Sequence, residues 1–173
     1  NTIFMHMFGI RVLTSPAEGA AEERIRNVEV SLVLDISGSM DGDRNTNMRA
    51  AASEFVTTIL EPNRDDLGNL VSVSIIPYNG MVNVGSTLAP HFNLSSEHNA
   101  SNCARFSSDH FTRTDLSTTE EIERIAHYDH DNYNTNAAYS APLCPTGDYG
   151  AILPFEHDED VLHTYIDSLG AQG

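Results

Sequence analysis

Lysine is missing from this chain, and its nine basic residues are all arginine. Twenty-five acidic residues stand against them, for a formal charge of −16. So few cations argue against nucleic acid as a partner, because little is available to neutralise phosphates. The same balance argues against docking on an anionic membrane surface. A surface this acidic stays soluble in salt and attracts cations or basic partners. Long apolar runs are also lacking, and none reaches the roughly 18 residues that span a bilayer. The opening segment, Asn1 to Ile10, is apolar but short, and it lacks the basic n-region of a signal peptide. A start at Asn rather than Met sets the expectation of a piece of a longer protein, with room for a membrane anchor upstream.

Catalytic signatures are scarce. No HExxH, paired CxxC or GxSxG is present, and Ser37-Gly38-Ser39 lacks the upstream glycine of a nucleophile elbow. GxGxxG is absent, and without lysine a P-loop is excluded. The only cysteines are Cys103 and Cys144. Free buried thiols and a bridge both fit two cysteines. A bridge would close a long loop and stabilise the fold by about 4 kcal/mol. The polar segment between them, with little core of its own, favours the bridge.

What the chain does have is a sharp strand-to-loop boundary. Val28-Glu29-Val30-Ser31-Leu32-Val33-Leu34 has the β-branched, apolar character of a buried strand. Asp35-Ile36-Ser37-Gly38-Ser39 follows, with a carboxylate and two hydroxyls at alternate positions. Gly38 is expected to supply the sharp turn that lets these oxygens converge. Oxygen-only ligands with little charge suit a hard divalent cation that keeps several waters. Asp35, Ser37 and Ser39 are therefore the candidate metal ligands, with Mg2+ or a similar divalent ion as cofactor.

From Met48 the spacing becomes helical, with Met48, Ala51, Ala52, Phe55 and Ile59 on one stripe, and Glu61-Pro62 stops the helix. Leu70 to Ile76 reads as a second strand. Pro77-Tyr78-Asn79-Gly80 is a turn, and Met81 to Val84 an antiparallel return. This strand, helix, strand order predicts an α/β architecture whose first two strands are parallel neighbours. Residues 1–27 read as an N-terminal segment and linker. From about 91 to 150 the pattern dissolves into an irregular insertion, where Ser117 to Ile122 forms a capping box opening one short helix. Asp158-Glu159-Asp160 opens a better helix with a stripe of Val161, Leu162, Tyr165, Ile166 and Leu169, and Gly170 stops it.

The Asp-x-Ser-x-Ser motif after such a strand resembles the metal-ion-dependent adhesion site of von Willebrand factor A domains. Three phrases sharpen the resemblance: Glu22 to Met40, Val73 to Asn79, and Leu162 to Gly173. Together these are similar to TadG-type proteins of tight-adherence (Flp) pilus assembly. The resemblance implies a Rossmann-like fold, of which residues 28–173 would hold the first half: strand, helix, strand and an antiparallel edge hairpin. It also implies an extracytoplasmic domain attached to the bacterial inner membrane through an upstream segment. In that family a threonine and a further acidic residue complete the metal site. The threonine is expected just after Leu169-Gly170-Ala171-Gln172-Gly173, so neither ligand has a counterpart here.

The function expected is non-enzymatic. The metal would help to capture an acidic side chain on a protein partner. Two alternatives stand beside it. One is a metal-dependent enzyme centred on His127-Tyr128-Asp129-His130-Asp131. The other is a structural scaffold with an idle motif.

Overall fold

The computed structural model of the chain describes residues 27–61, 71–96, 101–125, 144 and 147–171. They form a mixed α/β structure with two sheets and three α-helices, of which α2 (Gly85–Leu88) is a single turn. The first sheet is built from β1 (Val28–Asp35) and β2 (Val71–Tyr78), paired in parallel from Val28 opposite Val71 to Asp35 opposite Tyr78. Helix α1 (Asp43–Ile59) lies between them in sequence. This is the expected strand, helix, strand unit. The second strand runs further than expected, through Pro77 and Tyr78.

The third strand of this sheet is not the expected hairpin return. β2 pairs on its other side with β7 (Leu153–Glu156), which is antiparallel. The expected return, Met81 to Val84, contributes β3 (Val82–Asn83), which pairs with β5 (Cys103–Arg105) in the second sheet. The buried Asn83 side chain also ties this segment to the loop before β7. Its Nδ2 donates to the Gly147 and Tyr149 carbonyls, and its Oδ1 accepts from the Gly85 amide. A buried amide needs such partners, since leaving it unpaired costs several kcal/mol in an apolar setting, roughly.

The region expected to be an irregular insertion supplies no strand to the first sheet, but it supplies most of a second one, ordered β3-β5-β6-β4. Here β4 is Asn93–Leu94 and β6 is Glu121–Ile125. The proposed capping box is therefore a turn running into a strand, and no helix forms there. Ile122 and Ile125 are buried while Glu121 and Glu123 are exposed. Packing of that apolar pair against Val84, Leu94 and Cys103 outweighs the local helix-start signal. Cys103 and Cys144 are joined by a disulfide.

The main core lies on one face of the first sheet. Val71, Val73 and Ile75 of β2 point into it with Leu34 of β1, and two helices cover them. From α1 come Ala52 and Val56; from α3 (Glu159–Ser168) come Leu162 and Ile166. The buried stripe of α1 is rotated from the expected one. Ala51 and Phe55 are exposed, and Asn45 and Val56 are buried in their place. Asp158 caps α3, its Oδ1 accepting from the Asp160 and Val161 amides at 2.9 and 3.3 Å. The helix ends at Leu169 in extended conformation, so Gly170 does not act as a left-handed stop. Instead the Tyr149 hydroxyl accepts from the Gly170 amide and donates to its carbonyl. The opposite face of β1, with Glu29, Ser31 and Val33, is exposed. Among the described residues no helix is long and apolar enough to cross a membrane.

Candidate metal centre

Asp35 is the last residue of β1, and its partner across the sheet is Tyr78, the last of β2. The motif thus sits at the carboxyl ends of two parallel strands, where open α/β sheets commonly bind ligands. The Ile36 amide donates to the Tyr78 carbonyl at 2.7 Å and continues the pairing one residue further. Ile36 is buried. Its δ-methyl fills the space beside Gly150, where an added Cβ would lie only 2.9 Å away. The loop is thereby anchored into the core immediately after its carboxylate.

From this anchor the chain turns through a short 3-10 helix, Gly38–Met40. The turn expected at Gly38 is thus present, and a positive φ of 77° falls at Gly42, where the turn gives way to α1. Nothing crowds a Cβ at Gly42, so its requirement is conformational alone. Arg44, in the first turn of α1, reaches back and donates from Nη1 to the Ser39 carbonyl at 2.7 Å.

The three expected ligands are brought together. The Ser37 amide donates to Asp35 Oδ1 at 2.8 Å, and the Ser37 and Ser39 hydroxyl oxygens lie 3.0 Å apart. Hydrogen bonds from the Ser37 hydroxyl and then its amide hold the Asp35 carboxyl below the usual range; partial burial opposes them, and Tyr78 adds a smaller contribution. The carboxylate is therefore anionic at neutral pH. Neighbouring oxygens of an octahedral shell with bonds of about 2.1 Å lie about 3.0 Å apart. The hydrogen bond between the two serine hydroxyls sets the same spacing, so the pair would fit a small hard cation without rearrangement of those oxygens.

Tyr78 and Arg44 were not singled out in the sequence. Register would have found Tyr78, since it ends the second apolar run as Asp35 ends the first. Arg44 carried no comparable signal. The rival cluster from His127 to Asp131 lies outside the described residues. Among those residues no group of three or more His, Cys, Asp or Glu side chains is placed to hold a metal. The motif has one carboxylate and two hydroxyls, a different donor set. No family model, curated protein or solved structure matches the chain.

Proposed function

We propose that this chain is a non-enzymatic, divalent-cation-dependent protein-binding module of the von Willebrand factor A type. On its resemblance to TadG-type proteins, it serves tight-adherence (Flp) pilus assembly. The observation that carries the reading is the 3.0 Å approach of the Ser37 and Ser39 hydroxyls beside an anionic Asp35, at the carboxyl end of a parallel strand. Those three side chains would hold Mg2+ or a similar ion. A cation bound there supplies a hard positive centre for a carboxylate on a partner protein.

The chain's own groups prepare that event. The Ser37 amide orients the Asp35 carboxylate, Ile36 pins the loop to the core, and Arg44 braces Ser39 from α1. A partner would meet a site of fixed shape, which lowers the ordering cost of binding. Placement outside the cytoplasmic membrane, with an anchor upstream, belongs to the same proposal. The Cys103–Cys144 disulfide supports it, because such bonds persist in oxidising compartments.

Manganese-induced line broadening in amide NMR spectra tests the reading and detects weak sites. Broadening should centre on residues 35–40, reverse with EDTA and be competed by Mg2+. Asp35→Ala should abolish it while leaving the remaining spectrum in place. Uniform broadening over the acidic surface, unchanged by Asp35→Ala, would rule out the site.

A further inference from the structure

Helix stability does not account for Arg44. It stands in the first turn of α1, beside Asp43, where the helix macrodipole is positive and a cation is disfavoured. One bond fixes it, with Nη1 donating to the Ser39 carbonyl at 2.7 Å. The other edge of the guanidinium carries the parallel Nε and Nη2 donors. That edge meets no acceptor among the described residues, and the residue is exposed. Arg49, the other cation of α1, is turned instead to the Asp167 carbonyl near the end of α3.

Covalent geometry sets the distance from Arg44 to the motif. The carbonyl and hydroxyl oxygens of one serine lie within about 4.5 Å of each other, so Nη1 lies within about 7 Å of the Ser39 hydroxyl. The Ser37 hydroxyl is 3.0 Å from that of Ser39. Charge gives this placement a consequence. Residues 35–44 carry three aspartates, Asp35, Asp41 and Asp43, against the single Arg44, a formal charge of −2. A divalent ion held by the motif would bring the loop to neutrality. Without Arg44 the loop would stay negative and repel an incoming carboxylate.

We propose, resting on the metal reading above, that Arg44 is the second contact for the partner's carboxylate, received on the free Nε–Nη2 edge. A guanidinium edge matches the two oxygens of a carboxylate with two parallel, charge-assisted bonds. A carboxamide offers one acceptor oxygen and no charge. Aspartate or glutamate on the partner is therefore accepted, and asparagine or glutamine is not.

Amide and arginine side-chain NMR on residues 1–173 tests this contact. Propionate is the probe for a glutamate side chain, and propionamide the probe for glutamine. Parent and variant are each titrated at a Mg2+ concentration that saturates them, at constant ionic strength. Propionate should shift the amides of residues 35–44 and the Arg44 Nε–H signal together, and propionamide should shift neither. Arg44→Gln should weaken propionate binding about tenfold or more, the scale of a charge-assisted hydrogen bond. The proposal is overturned if propionate shifts nothing, or if the amides respond while the Arg44 Nε–H signal stays in place. Equal propionate binding by Arg44→Gln and the parent also overturns it, and leaves Arg44 as a brace for Ser39 alone. These outcomes leave the metal reading standing, because manganese broadening at residues 35–40 is measured separately. Absence of that broadening in the parent removes the metal reading and this contact together.

Discussion

Gly150 shows how one residue distant in sequence sets the geometry of the motif. Its φ is +59°, and a Cβ there would press on the δ-methyl of Ile36 at 2.9 Å. Gly150→Ala should therefore cost about 1–2 kcal/mol in backbone strain. It should also shift the amide resonances of residues 35–39, although the substitution lies on another loop. Resonances that stay in place would show that Ile36 does not anchor the motif. Asp148 is a second case. Its carboxylate accepts from the Ser86 hydroxyl at 2.6 Å and the Ser86 amide at 2.7 Å. These bonds, the hydroxyl's first, hold its carboxyl below the usual range. A folded-state pKa below the unfolded one contributes stability above the unfolded value, near 4, and loses it as pH falls through the folded value. Thermal unfolding should show Asp148→Asn clearly less stable than the parent at pH 7, with the gap closing below about pH 4. A gap independent of pH would mean that ionisation of Asp148 plays no part.

At the scale of elements, helix α3 has one indispensable face. Leu162 and Ile166 are fully buried against β2 and α1, whereas Val161 is 41% exposed. Ile166→Ala should cost about 3 kcal/mol through lost burial and the cavity left behind. Val161→Ala should change stability by less than about 0.5 kcal/mol, as an exposed position does. Urea unfolding of both variants measures the contrast, and equal losses would contradict the packing described. The second sheet depends on a different device. Its apolar clusters are small, and the disulfide joins β5 to Cys144 across a sequence separation of 41. Reduction should remove about 4 kcal/mol in the chain-entropy account. Hydrogen exchange should then accelerate in β5 and β6 before β1 and β2. The opposite order would place the weaker unit in the first sheet.

At the scale of the whole molecule, the exposed edge of the first sheet is the main feature. β1 pairs with β2 alone among the described residues, so the motif strand is an edge strand. Its outward face carries Val33, which is 58% exposed. An edge of eight residues with such side chains is a template for another strand. Residues 1–173 should therefore associate reversibly with concentration in sedimentation velocity. Val33→Lys should shift the distribution toward monomer, because charge on an edge opposes strand pairing. A parent that stays monomeric at high concentration would show the edge to be protected. The large negative charge works against association, so added salt should promote it.

Much of the first sheet could be read in the chain. β1, α1, β2 and α3 follow from local periodicity, and the position of Asp35, Ser37 and Ser39 at the end of β1 follows with them. Short-range steric and hydrophobic patterns are properties of the segment itself. Tertiary structure alone decided where the ambiguous segments went. Met81 to Val84 is adjacent to β2 in sequence, but Val82 and Asn83 pair with β5 in the second sheet, and the buried amide of Asn83 is met by the Gly147 and Tyr149 carbonyls. Leu153–Glu156 takes the vacated place beside β2, with the Ser74 hydroxyl donating to the Leu153 carbonyl. Ser117 to Ile122 has the local form of a helix start, but burial of Ile122 and Ile125 selects a strand. Strand partnership and the satisfaction of buried polar groups are long-range matters. They depend on residues dozens of positions away, and no local pattern encodes them.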